Sequence, residues 1–239
     1  MDNLYTWNSE HADVFLAIMS VTIGFISYWF LSLNPKIKVW FLKKYLNDRA
    51  YIIYVSFQRL IGVVFMGVIP GILLLSFTDY SLAELGLRTG NLKSSLFYIA
   101  VVSPILLGIG YLMSKNSNHR DIYPHMRLKL WSKKTQIINA IGWGAYLLVY
   151  EFMFRGILLM VCFNTFGFWP ALAINLMFYS ATHIAKGFGE TLGAFTYGIV
   201  LCLVTLSTGS ILFAFIAHLV LALGVDSFSL ANKSEINVE

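Results

Sequence analysis

Tyr150-Glu151-Phe152-Met153-Phe154-Arg155-Gly156 sets two full charges inside an otherwise apolar run that covers residues 137–161. A charge at mid-bilayer costs about 3 kcal/mol on insertion scales, so such residues are usually paired and usually functional. Glu151 and Arg155 are four apart, share one face of a helix and can pair within it. Pairing explains how they are tolerated, not why two leucines do not stand there instead. The helix that carries them is the expected centre of the protein.

The composition around that stretch fixes the class. The chain has 239 residues, 58% of them hydrophobic and 12% charged, with a mean hydropathy of +0.71. A soluble domain carries about twice that share of charge. At about 20 apolar residues per span, the chain is expected to fold as an all-α, polytopic transmembrane helical bundle of seven or eight spans. The net charge of +5 is spread over loops. It reads as membrane orientation and contact with anionic lipid in the bilayer, and it excludes nucleic acid as a partner. Cys162 and Cys202 both lie in apolar runs and read as small core residues, not as a disulfide or a metal pair. The N-terminus has no basic region, and the apolar run after it is long enough to span, so the first helix is expected to be retained.

In chain order, spans are expected over 14–33, 51–77, 96–113, 137–161, 169–185, 191–206 and 211–226. Asn34-Pro35 ends the first. Residues 36–49 interleave Lys36, Lys38, Lys43, Lys44 and Arg49 with Trp40, Phe41 and Tyr45, as a membrane-surface segment or a plain basic loop would. Arg59, near the start of the second span, is placed to snorkel to the interface, and Pro70-Gly71 to kink that span. Residues 81–87 form a short amphipathic turn. The basic loop over 114–134 joins the first basic segment on the cytoplasmic side, which puts the N-terminus outside and, with seven spans, the C-terminus in the cytoplasm. Three regions follow: an N-terminal transmembrane region over 1–136, a core over 137–228 and a polar tail over 229–239.

Four ionisable residues lie in or at the rim of the last four spans: Glu151, Arg155, His183 and His218. Each has a bland alternative as a helix clamp or a ring bonded to a carbonyl. Together, one carboxylate and two imidazoles can supply a base, an acid and an oxyanion donor, or ligands for a metal. Proton transfer through the same chain is the rival chemistry.

These residues resemble the CAAX prenyl endopeptidase and bacteriocin-processing (CPBP, or Abi) family of intramembrane proteases. The resemblance rests on Glu151-x-x-x-Arg155-Gly156, on Tyr179-Ser-Ala-Thr-His183 and on His218 in a late span, and it covers about 137–226. It implies a glutamate-type peptidase in which a leading glutamate activates water, aided by the two histidines. The leading glutamate of the family motif falls here on Tyr150, and an asparagine of its third motif falls on Ala222. Tyr-Glu resembles a branch of the family in which the second motif continues as His-x-x-Lys with a later glutamate, here His183, Lys186 and Glu190. On a continuing helix Glu190 would stand two turns from His183, in place of the missing carboxylate; the alternative is a polar loop with glycine breaks.

The resemblance implies hydrolysis of a peptide bond in a membrane-associated or lipidated protein or peptide, in the bacterial cytoplasmic membrane. Its candidate catalytic set is Tyr150, Glu151, Arg155, His183, Glu190 and His218. It implies no cofactor; two histidines and a carboxylate also match a catalytic zinc count, which the family chemistry does not use. The rivals are a non-cutting relative acting as an immunity or scaffold protein, favoured by Tyr150 and Ala222, and a small proton-coupled transporter.

Overall fold

The computed structural model describes residues 11–115 and 123–232, with the backbone of 237–238. The expectations for the extreme N-terminus, for Arg120 and Asp121 in the second basic loop and for most of the tail lie outside the described residues. Among the described residues there are eight helices: α1 (Ala12–Ser32), α2 (Pro35–Lys44), α3 (Asn47–Phe77), α4 (Leu92–Lys115), α5 (Lys133–Phe166), α6 (Phe168–Ala181), α7 (Phe188–Thr208) and α8 (Leu212–Ala231). The one sheet is a parallel pairing of β1 (Leu130–Trp131) with β2 (Asn237–Val238).

Six of these helices, α1, α3, α4, α5, α7 and α8, are long and apolar enough to cross a membrane, and the 14-residue α6 is a shorter apolar helix. At 1.5 Å per residue α6 reaches about 21 Å, short of a hydrocarbon core of about 30 Å. The expected span over 169–185 therefore ends early. The chain leaves α6 at Ala181, makes a single 3₁₀ turn over Ile184–Lys186 and starts again after Gly187, whose φ of +98° suits glycine. The last span is longer than expected and takes in three residues of the predicted tail.

α5 is the axis. Its apolar window is 78% buried, against 11–39% for the other five long helices. Every residue from 150 to 162 is buried, so no face of α5 meets lipid there. Ser132 caps its start by accepting from the Thr135 N–H at 3.2 Å. From Phe152 to Leu158 the helix widens into π geometry, beginning one residue after Glu151. A second π segment, Val63–Val68, precedes Pro70 in α3. A proline ring cannot sit under the carbonyl four residues back, and local widening is one way to make room.

The 81–87 turn reaches into the bundle. Ser81 and Glu84 bond each other reciprocally, Leu85 is fully buried, and the Gly86 carbonyl accepts from the Ile211 N–H at 3.1 Å. Gly156 makes this possible: a Cβ there would stand 2.6 Å from the Leu85 carbonyl oxygen. Away from this main core, a satellite cluster of Phe41, Tyr54, Val55, Met126, Leu128 and Trp131 binds α2 to the start of α3 and to the segment before α5.

Candidate active site

α5 and α8 run antiparallel past each other, so residues 67 and 87 positions apart become neighbours. Glu151 Oε1 lies 2.6 Å from His218 Nδ1, and Glu151 Oε2 lies 3.3 Å from an Arg155 guanidinium nitrogen. Both members of the Glu151–Arg155 pair are fully buried, while the His218 side chain is 15% exposed. The guanidinium also sits 3.9 Å over the Tyr179 ring, a cation–π contact that strengthens where water is excluded. A carboxylate only accepts, so Nδ1 of His218 donates to Glu151 and the ring's Nε2 carries the free lone pair.

His218 opens onto a cavity of about 840 Å³. Tyr150, Tyr179, Thr182, His183, Lys186, Glu190 and Ala222 line it too, with an apolar wall from α1 and α4 that includes Trp29 and Leu106. Glu151 is not on the lining. It stands one layer back and meets the cavity through the His218 ring.

His183 occupies a different position on the same cavity. Its backbone N–H turns to the Ser180 carbonyl, and the Tyr179 carbonyl receives side chains instead: the Thr182 hydroxyl at 2.7 Å and His183 Nδ1 at 3.1 Å. Thr182 Oγ1 is also 3.0 Å from His183 Nδ1 and 2.8 Å from the Tyr150 hydroxyl. One arrangement satisfies every group. The Tyr150 O–H donates to Thr182, the Thr182 O–H donates to the Tyr179 carbonyl, and Nδ1–H of His183 donates to the oxygens beside it. Both histidines then keep their proton on Nδ1 and leave Nε2 as an acceptor.

Glu190 does not continue the His183 helix. The break at Gly187 puts it in the first turn of α7, where it lies 4.0 Å from the Lys186 ammonium. Lys186 also donates to the Tyr123 hydroxyl at 3.3 Å. Burial pulls the Lys186 ammonium down, but Tyr123 and Glu190 outweigh it and hold the group above its ordinary value. Glu190 is thus on the cavity, paired with a lysine.

A second polar cluster, which the sequence does not announce, sits farther along α5. Arg59 does not snorkel. It is 4% exposed, donates to the backbone and side-chain oxygens of Asn139 at 2.9 Å each, and lies 4.5 Å over the Trp143 ring. Asn139 and Trp143 both donate to Asp226 Oδ2, at 3.0 and 2.7 Å. His125 stacks on Trp143 at 5.8 Å and shares the cavity wall with Arg59. Burial, with Arg59, Lys186 and Arg127 as neighbouring cations, pushes the His125 imidazole down to about 3. Asp226, at the end of the last predicted span, was the available signal: a carboxylate in an apolar run needs a partner. Thr182, also unmarked in the sequence reading, carries no signal beyond its place before His183.

Among the described residues, no group of three His, Cys, Asp or Glu side chains comes together as a metal-ligand set.

These features define an integral membrane protein: a polytopic helical bundle with a buried acid–arginine pair behind a histidine that faces a cavity. Residues 135–223 match the family model described as Rce1-like, type II CAAX prenyl endopeptidase, a match that supports the CPBP/CAAX protease family. No curated protein and no solved structure matches the chain. The family is one of CAAX-type intramembrane proteases.

Proposed function

We propose that the protein is an intramembrane endopeptidase that hydrolyses a peptide bond of a membrane-associated or lipidated protein or peptide. The observation that supports this most is the 2.6 Å contact from Glu151 to His218 Nδ1, backed by Arg155 and facing a cavity. Glu151 serves as the orienter of a base and not as the base itself. It fixes the His218 proton on Nδ1 and stabilises the imidazolium that forms, as the acid does in an acid–histidine dyad. His218 Nε2 takes a proton from a water in the cavity. The resulting hydroxide attacks the peptide carbonyl carbon, and the tetrahedral intermediate collapses with cleavage of the C–N bond. The proton held by His218 passes to the leaving nitrogen, so one water is consumed and no other reactant is needed.

Arg155 holds the carboxylate in place from the side away from the histidine. Tyr150, in the position of the family's leading glutamate, supports His183 through Thr182 and does not act as a base. His183 presents the second Nε2, which orients the water. Lys186 and Glu190 form the polar edge of the cavity. The apolar wall suits a hydrocarbon chain on the substrate, in keeping with the prenyl group in the family description. No metal takes part. The basic segments over 36–49 and 127–134 support a cytoplasmic position for that end of the bundle, in a bacterial membrane.

The test is cleavage of a quenched-fluorescent prenylated peptide by the full chain in lipid vesicles. Wild type is expected to cut it, and Glu151→Gln and His218→Ala to lose at least about 10³-fold in kcat. Unimpaired cleavage by both variants overturns the mechanism.

A further inference from the structure

The sequence holds two basic segments that the structure joins into one surface. The first, 36–49, carries Lys36, Lys38, Lys43, Lys44 and Arg49; the second, 127–134, carries Arg127, Lys129, Lys133 and Lys134. About eighty residues separate them. Asp48 closes the gap: its carboxylate accepts the backbone N–H groups of Lys129, at 3.1 and 3.0 Å, and of Leu130, at 3.0 Å. Behind that contact Phe41 of α2 and Leu128 and Trp131 of the second segment share the satellite core. The join is therefore built from both hydrogen bonds and packing.

Three properties of this surface point to its ligand. Asp48 is the only acid within the two segments, and its oxygens are committed to backbone amides. All the lysines, and Arg49, are exposed. Large apolar side chains are exposed among them: Val39 at 47%, Trp40 at 51% and Leu46 at 81%. Lys44 lies 4.4 Å over the Trp40 ring, so charge and aromatic surface are presented together. A helix with this mixture between two long apolar helices lies in the interfacial plane, apolar groups toward the acyl boundary and ammonium groups at headgroup level. A soluble acidic partner accounts for the lysines but not for Trp40 and Leu46. A plain orientation signal needs only a count of charges in each loop and no bond between the loops.

We propose that α2 and the 127–134 segment form one composite site for anionic phospholipid headgroups, latched by Asp48. The site holds the phosphate of the lipid between cations drawn from both segments. Its second segment begins four residues after Tyr123, which lines the cavity and accepts from Lys186. The site stands on its own observations and not on the peptidase reading.

The experiment measures the thermal unfolding midpoint of the full chain in neutral detergent against added short-chain phosphatidylglycerol, phosphatidylcholine or inorganic phosphate. Phosphatidylglycerol is expected to raise the midpoint saturably. Phosphatidylcholine and phosphate at the same concentrations are expected to leave it within error. Lys36→Gln/Lys38→Gln/Lys43→Gln/Lys44→Gln and Lys129→Gln/Lys133→Gln/Lys134→Gln should each weaken the apparent lipid affinity by about tenfold or more, because either half alone is incomplete.

Asp48→Ala gives the sharpest arm. It makes the surface more positive, so simple charge counting expects tighter lipid binding, whereas loss of the latch should weaken it. Equal stabilisation by both lipids, an effect confined to one lysine set, or tighter binding by Asp48→Ala overturns the composite site. Where Asp48→Ala does not fold, the two glutamine sets decide alone. Phosphate matching the lipid would assign the surface to free anions and also overturn it.

Discussion

Two clusters on one cavity use nearly the same residues. At one end a buried arginine, a carboxylate and a histidine meet as Arg155, Glu151 and His218. At the other they meet as Arg59, Asp226 and His125, with Asn139 and Trp143 between them. The difference lies in what remains free. In the first cluster the carboxylate takes the inner nitrogen of a histidine whose outer nitrogen faces the cavity. In the second the carboxylate takes N–H groups of Asn139 and Trp143, neither of which titrates. The same residue types thus build an acid–base device in one place and a tie between α3, α5 and α8 in the other. Composition does not separate the two; the last hydrogen-bonding atom does.

The largest effects should come from breaking each cluster in turn. Replacing His218 by Ala is expected to cut kcat at least about 10³-fold while the unfolding midpoint moves little; Glu151→Gln should cut kcat as far per folded molecule and also lower the midpoint, because it leaves Arg155 buried without its carboxylate. Asp226→Ala should do the reverse of His218→Ala. Leaving Arg59 buried without its compensating charge costs about 3–5 kcal/mol, which denaturant unfolding would register, while turnover per folded molecule stays within about tenfold. A collapse of kcat in folded Asp226→Ala protein would erase the distinction.

A pairwise test is smaller. Arg59→Met/Asp226→Leu should recover part of the stability lost by either single change, because it removes both charges together. No such recovery is expected for Arg155→Met/Glu151→Leu in peptidase assays, since the His218 orienter is gone. Equal recovery at both ends would mean that both are ties.

Metal removal sharpens the comparison further. Incubation with a strong chelator is expected to leave cleavage of the prenylated peptide unchanged. Loss of activity that zinc restores would recast His218 and His183 as ligands.

The smallest effect concerns His125. Its imidazole is held down to about 3, against an ordinary value near 6.5. The unfolded chain therefore binds a proton that the folded chain refuses. The stability linked to this group is complete above about pH 6.5 and drains away as pH falls toward 3. Between pH 7 and pH 4 the wild-type midpoint should fall more than that of His125→Phe, which keeps a ring to stack on Trp143. Parallel curves for the two proteins would remove His125 from the second cluster.

Much of this was legible in the sequence, for reasons that can be named. Glu151 and Arg155 pair because four residues make about one helical turn, and hydropathy gave the bundle because apolar runs of membrane length have few alternatives. Arg59 was misplaced because hydropathy ranks a residue by its neighbours in the chain, and its partner Asn139 is 80 residues away. The His183–Glu190 face was lost because Gly187 takes a positive φ, which ends the helix between them. That Glu151 would stand behind His218, and not on the cavity, depends on how α5 and α8 cross. Spacing along either helix carries no trace of it.

The π segment in α5 has one consequence for how this chain can change. From Phe152 to Leu158 the backbone holds one residue more than a regular helix would use for the same advance. Deleting a single residue there would restore ordinary winding and leave everything beyond it in step, whereas the same deletion in a regular stretch of α5 would turn everything beyond it by about 100°. In a regular stretch before Gly156 that turn would carry the glycine off the Leu85 carbonyl and point the face that closes on α6 elsewhere. Most of the shaft can neither gain nor lose a residue without turning one half against the other, and the widened segment is where one residue can go while the two halves keep their angle.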